Sequence, residues 1–172
     1  NNFQKKINVS GDKSLSIRWV LFSSLANGTS TAKNLLKSED VLAAVNAIKK
    51  LGIKVIMNKN ECKIFGKGID GYKFKKNLTL NAQNSGTLGR LILGLLVNSP
   101  YTIKLIGDKS LSKRDFKRIS DPLTKFGAKF FNKSGKLPII VKGTNKPNPI
   151  FYNEKKGSAQ CKSSVMMAAI NT

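Results

Sequence analysis

Histidine is absent from this chain of 172 residues, and cysteine occurs only as Cys62 and Cys161. The lack of histidine excludes Ser/His and Cys/His catalysis and argues against a transition-metal site. The two cysteines form no Cys-X-X-Cys motif, which argues against a zinc site and against a disulfide scaffold. Isolated thiols are typical of a reducing compartment. We therefore expect a cytoplasmic protein that binds no metal.

Acidic residues and long apolar runs are also scarce. Nine Asp and Glu residues stand against 31 Lys and Arg residues, which gives a net charge of +22. Such a balance favours an anionic partner: nucleic acid, an anionic membrane or an anionic substrate. The longest apolar run, LILGLLV at 91–97, is too short to cross a bilayer. Because the lysines are dispersed, without a long basic run or interleaved aromatics, we expect neither membrane nor nucleic-acid binding; a nucleic-acid-binding module stays as an alternative.

Arginine is rare among the basic residues and occurs only as Arg18, Arg90, Arg114 and Arg118. A guanidinium binds carboxylate or phosphate through a rigid two-pronged fork that lysine cannot reproduce. The four arginines are therefore the first residues to inspect for an anion site. Arg118 lies in none of the motifs described below, and we expect it at the surface.

The distribution of apolar residues predicts a mixed α/β (α+β) fold. With 40% hydrophobic residues the chain can build a substantial core. Strand-like segments include 7–9 and 149–153. Helical spacing occurs at 15–26, 39–50, 86–97, 115–126 and 158–170.

A repeat of 75 residues organises these elements into units of the order β-α-β-α-β-β. KLG at 50–52 recurs as KFG at 125–127, so a glycine follows each predicted helix. The third unit stops after its first helix, and we therefore expect a truncated domain with inner helices and outer mixed sheets. The units are placed at about 7–68, about 78–143 and, for the start of the third, about 149–172.

The first helix of each unit begins near a serine and carries a cation about one turn later. The serines are Ser14, Ser85 and Ser158, and the cations are Arg18, Arg90 and Lys162. Helix N-termini carry unpaired N–H groups and partial positive charge, so we expect these three to face a common anion site. The alternative is that the serines only cap helices and the repeat only builds a core.

Four ordered motifs contain the candidate binding residues. In the motif NSGTLGR, Gly86 allows a ligand to approach the backbone, and Asn84 and Thr87 offer hydrogen bonds. The motifs are GDKSLSIR (11–18), NSGTLGR (84–90), GDKSLSKRD (107–115) and GSAQCKS (157–163).

These motifs, with NLLKSEDV at 34–41, resemble the N-terminal half of the EPSP synthase family over essentially the whole chain. The resemblance implies a domain of an inside-out barrel. It also implies transfer of the enolpyruvyl group of phosphoenolpyruvate to the 5-hydroxyl of shikimate 3-phosphate, without a cofactor. Ser14 and Arg18 favour this family over the sister transferase that acts on UDP-N-acetylglucosamine, which stays as an alternative. Asp115 departs from the family pattern, where proline is usual.

The resemblance also implies a role for each motif residue. Lys13 would contact both substrates and stabilise developing charge. Shikimate 3-phosphate would be bound by Lys13, Ser14, Arg18 and Ser158, and phosphoenolpyruvate by Lys13, Asn84, Gly86, Arg90, Arg114 and Gln160. The acid/base residues of the family lie in its C-terminal half. We therefore expect this chain to need that half as its partner, to be inactive alone, and to derive from a monomeric parent.

Overall fold

The computed structural model describes residues 4–7, 9–154 and 157–171. Within these ranges each of the five predicted helices is present. The helices are α1 (Lys13–Leu25), α2 (Glu39–Lys50), α3 (Gly86–Leu96), α4 (Lys117–Thr124) and α5 (Ala159–Ala168). The strands are β1 (Asn27–Lys33), β2 (Lys54–Met57), β3 (Glu61–Lys67), β4 (Leu78–Asn81), β5 (Thr102–Ile106), β6 (Lys129–Phe131) and β7 (Ile139–Lys142).

The strands form two sheets, and the strand order of the first recurs in the second as β5-β7-β6. The first sheet is β1-β3-β2 and the second is β4-β5-β7-β6. All pairs are antiparallel except β4 with β5, which is parallel. The register repeats as well, since Asn27 pairs with Lys67 and Thr102 with Lys142. This symmetry agrees with the 75-residue repeat, while the unit boundaries stay a prediction.

The prediction of inner helices and outer sheets is confirmed by the burial pattern. Helix α3 is buried from Leu91 to Leu96 on every face, which marks it as the central helix. Strands β5 and β7 instead alternate between buried and exposed residues, so each presents one face to the core and one to solvent. Helix α3 packs most extensively against α5 and also contacts α1, so these three helices lie side by side.

Helix α2 shows why the predicted elements form where they do. Acidic residues occupy its first turn and lysines its last, which complements the helix dipole. Gly52 follows with a φ of 89°, and Gly127 follows α4 with a φ of 101°. Both lie in the left-handed region that glycine adopts without strain, so the two helices end alike.

The strand predicted at 149–153 is wrong. This segment has no regular secondary structure, and Phe151 is 90% exposed. A strand needs a neighbouring strand for its backbone groups, and none of the strands in the described part of the chain pairs with it. The strand predicted at 7–9 falls partly on residue 8, outside the described residues; Ile7 and Val9 lie in no strand.

No helix within the described ranges is both long enough and apolar enough to cross a membrane.

Candidate functional site

The beginnings of α1, α3 and α5 are joined by side-chain hydrogen bonds. Arg18 Nη2 of α1 donates to Ser163 Oγ of α5 at 3.4 Å. Arg90 Nη1 of α3 donates to Gln160 Oε1 of α5 at 2.8 Å. Helix α5 therefore contacts two groups of candidate residues, one through Ser163 and the other through Gln160.

The three helix starts are capped, but not all by the predicted serines. Ser85 and Ser158 accept hydrogen bonds from Leu88 N and Cys161 N, at 3.2 and 3.3 Å. Helix α1 is capped instead by Asp12, whose Oδ1 accepts from the Leu15 amide at 2.7 Å.

Capping by Asp12 leaves the hydroxyl of Ser14 available. No residue in the described part of the chain hydrogen-bonds to Ser14 Oγ. Ser158 differs, because its oxygen already accepts the capping bond while its hydroxyl hydrogen can still be donated. Both serines can therefore donate to an anion, whereas the capping interpretation applies to Ser85 and Ser158 only.

Two guanidinium groups crowd the first residue of α3. A Cβ atom added to Gly86 would lie 2.8 Å from Arg90 Nη1 and 3.0 Å from Arg114 Nη1. Two forked cations thus lie next to the unpaired N–H groups at a helix N-terminus. This combination of charge and donors is suited to a phosphate or a carboxylate.

Arg90 is held in place on several sides. Its Nη1 also approaches the Gly86 carbonyl at 3.4 Å, and its guanidinium lies 5.4 Å from the centre of the Phe116 ring. Partial burial lowers the pKa of Arg90, and the charge of Arg114 lowers that pKa further. A guanidinium nevertheless stays charged, so the two arginines repel each other. A bound anion between them would relieve this repulsion.

Gln160 connects Arg90 to the first turn of α3. Its Oε1 accepts from Arg90, and its Nε2 donates to Thr87 Oγ1 at 3.0 Å. Because both ends of the amide are engaged, its orientation is fixed. Gln160 therefore keeps the Arg90 guanidinium at the helix start.

Arg114 enters the site from the loop after β5. A short 3₁₀ turn, Leu111–Lys113, ends at Arg114, whose Nη2 approaches Asn84 Oδ1 at 3.5 Å. Asn84 Nδ2 in turn donates to Asp108 Oδ2 at 2.5 Å. The structure thus brings together Asn84, Gly86, Arg90, Arg114 and Gln160 in one group.

The second group contains Ser14 and Arg18 of α1 with Ser163 of α5. Arg18 Nη1 approaches the Ser14 carbonyl at 3.3 Å, so the guanidinium folds back over the start of α1. Ser163 Oγ itself donates to the Ala159 carbonyl at 2.8 Å. The side chain of Arg18 is thereby directed toward α5, whose N-cap residue is Ser158.

Lys13 contacts a residue outside the predicted set. Its Nζ forms an ion pair with Asp40 Oδ2 at 3.2 Å, and 53% of its side chain is exposed. No contact with the arginines is found for it among the described residues. Lys13 therefore lies at the rim, with its charge partly balanced by Asp40.

Sequence reasoning gives no role to Asp40, Asp108 or Ser163. An aspartate three residues before the amide of Leu111 is a turn signal that could have identified Asp108. Nothing in the local sequence points to Ser163. Arg118 lies outside both groups; it is exposed, as expected, and approaches Glu154 Oε1 at 3.9 Å.

Comparisons with known proteins agree on one family. The family model for EPSP synthase (3-phosphoshikimate 1-carboxyvinyltransferase) matches residues 1–172. Relatives called 3-phosphoshikimate 1-carboxyvinyltransferase are 44% identical in Sulfurihydrogenibium sp. and 41% identical in Ruthia magnifica, over 95% and 99% of this chain. The chain spans 38% and 39% of the length of these relatives.

A solved structure gives the same answer for the fold. EPSP synthase from Acinetobacter baumannii superposes with a TM-score of 0.89 at 35% identity, over 95% of this chain and 37% of that one. The α/β architecture and the sequence motifs thus lead to one family. The chain belongs to the EPSP synthase family.

Proposed function

We propose that the protein containing this chain transfers the enolpyruvyl group of phosphoenolpyruvate to the 5-hydroxyl of shikimate 3-phosphate, with release of phosphate. The observation that carries the proposal is the pair of guanidinium groups over Gly86, with the Arg18 group bound to the same helix α5. Two anion sites next to each other suit a reaction between two phosphorylated substrates.

Each group matches one substrate. Arg18, with the available hydroxyls of Ser14 and Ser158, would bind the phosphate of shikimate 3-phosphate. Arg90 and Arg114, with the backbone at Gly86, would bind phosphoenolpyruvate, while Asn84 and Gln160 hold those arginines in position. Lys13 at the rim would reach both substrates and stabilise charge in the transition state.

The reaction also needs a proton donor and a proton acceptor. Asp40 is ion-paired with Lys13, and Asp108 is hydrogen-bonded to Asn84, so both carboxylates are already engaged. We therefore propose that the proton donor and the proton acceptor belong to the further length found in the relatives, and that this chain alone shows no turnover. We also propose that the whole protein is a cytoplasmic monomer.

Titration of this chain with shikimate 3-phosphate tests the proposal. Calorimetry should detect binding that Arg18→Ala weakens by about tenfold or more, the loss expected for a hydrogen-bonded charge. Arg118→Ala is the matched control, because it removes the same charge at an exposed position outside the site. Equal weakening by both variants would contradict the proposed site.

Two further measurements separate the alternatives. A nucleic-acid-binding module would bind random oligonucleotides with a steep dependence on salt, and UDP-N-acetylglucosamine would bind in place of shikimate 3-phosphate in the sister transferase.

A coupled phosphate-release assay on this chain should stay at background. Turnover above background would show that the chain holds its own acid/base groups.

A further inference from the structure

Asp108 is an acidic residue at a site whose other charges are mainly positive. The chain has only nine Asp and Glu residues, and Asp108 contacts Asn84 directly beside Arg114. A carboxylate at this position repels an incoming anion. Asp108 can therefore favour anion binding only through contacts whose benefit outweighs this repulsion.

The contacts of Asp108 identify that benefit. Its Oδ1 accepts from the Leu111 amide at 2.7 Å and closes the turn that leads to Arg114. Its Oδ2 accepts from Asn84 Nδ2. These hydrogen bonds lower the pKa of Asp108, the bond from Leu111 most strongly. At neutral pH the carboxylate is thus ionised and can only accept hydrogen bonds.

An acceptor at this place decides which way the Asn84 amide points. With Nδ2 turned toward Asp108, Oδ1 of Asn84 must face Arg114 Nη2. We propose that Asp108 is a positioning residue that orients Asn84, and through it Arg114, for binding the phosphate of phosphoenolpyruvate. This inference rests on the proposed function for the identity of the anion, but not for the orientation of the amide.

Asp108→Asn tests the inference because a charge effect and a positioning effect predict opposite changes in the affinity for the anion. An asparagine can still accept from Leu111, so the turn is kept. The amide nitrogen of the new asparagine takes the place of Oδ2 and is a donor. The Asn84 amide must therefore rotate, and it then presents its own N–H groups to Arg114. If Asp108 acted only through its charge, removing that charge would strengthen anion binding; if it acts by positioning, binding weakens.

Asp115→Asn is the matched control. Asp108 interacts through its charge with Arg114, and Asp115 with the neighbouring Arg90. The Oδ1 of Asp115 accepts from the Lys117 amide at 2.7 Å, a bond that asparagine can keep. It makes no hydrogen bond to Asn84 among the described residues. The control therefore removes the same charge without releasing the amide.

The experiment combines side-chain NMR with titration of phosphoenolpyruvate in the presence of shikimate 3-phosphate. In Asp108→Asn we expect the Asn84 side-chain amide signals to move and the affinity for phosphoenolpyruvate to fall by about tenfold. In Asp115→Asn we expect the Asn84 signals to stay and the affinity to remain or rise. Asp108→Ser, which keeps a capping oxygen but cannot reach Asn84, should behave like Asp108→Asn.

The outcomes separate the positioning role from the proposed function. Unmoved Asn84 signals in Asp108→Asn, or an affinity that rises as in Asp115→Asn, would overturn the inference. If the unsubstituted chain binds no phosphoenolpyruvate, the proposed function loses its support, and the Asn84 signals alone decide the positioning role. Should Asp108→Asn fail to fold, Asp108→Ser provides the same comparison.

Discussion

Replacing Gly86 with alanine should separate ligand affinity from stability. The new Cβ would lie 2.8 Å from Arg90 Nη1 and 3.0 Å from Arg114 Nη1, whereas ordinary contacts begin at 3.4 Å. The guanidinium groups must therefore move by about 0.6 and 0.4 Å. A bond of about 2.9 Å to phosphate would lengthen to roughly 3.4 Å, beyond the usual range. Loss of one such bond to a charged group costs about 1.5–3 kcal/mol, or roughly tenfold to a hundredfold in affinity.

The fold should tolerate the same substitution. The atoms in the way are the ends of flexible side chains, and alanine favours the helix by up to about 1 kcal/mol relative to glycine. Calorimetric titration with phosphoenolpyruvate and thermal unfolding of the same samples measure both effects. The affinity for shikimate 3-phosphate, for which we propose a site at Arg18, serves as the internal control. Unchanged affinity for phosphoenolpyruvate, or equal losses for both ligands, would refute the reasoning.

Two further predictions concern stability. In Gly94→Ala the Cβ would lie 2.1 Å from the Ser164 carbonyl oxygen, so α3 and α5 must separate; we expect a loss of about 1–3 kcal/mol in urea unfolding, larger than the helix-propensity gain. The Tyr72 hydroxyl lies 2.8 Å from Ser24 Oγ, and burial raises the pKa of Tyr72 to about 12. The folded pKa exceeds the unfolded value of about 10. The contribution of the protonated Tyr72 hydroxyl to the free energy of unfolding is therefore complete below pH 10 and is lost between about pH 10 and 12. Tyr72→Phe should abolish that part of the pH dependence of unfolding, and parallel curves for the two proteins would contradict it.

The helices could be predicted because several local signals agree. Helix α2 occupies Glu39–Lys50, the same range as its apolar periodicity, and its terminal charges and the glycine after it point to the same ends. The segment 149–153 shows the opposite case. Its apolar residues satisfy the strand pattern, but pairing with another strand depends on the rest of the fold, which the local pattern does not encode.

Most residues of the candidate site can be predicted from the sequence, but their contacts cannot. The scarcity of arginine, together with its place in the motifs, is enough to single out Arg18, Arg90 and Arg114. The bond between Asn84 and Asp108 spans 24 residues, and the one between Arg18 and Ser163 spans 145. Such pairs arise only when helices and loops pack, so the contacts that orient the site are visible only in three dimensions.

The two guanidinium groups over Gly86 also determine how this protein should be handled. Sulfate and inorganic phosphate resemble the phosphate of the proposed ligand in size and charge, so either ion in a purification buffer will compete for Arg90 and Arg114. Added salt will act unevenly, because exposed Arg114 is screened over about 8 Å at physiological ionic strength while half-buried Arg90 is screened much less. Binding constants should therefore be measured in chloride at a stated ionic strength, because those measured in phosphate buffer include competition from the buffer anion.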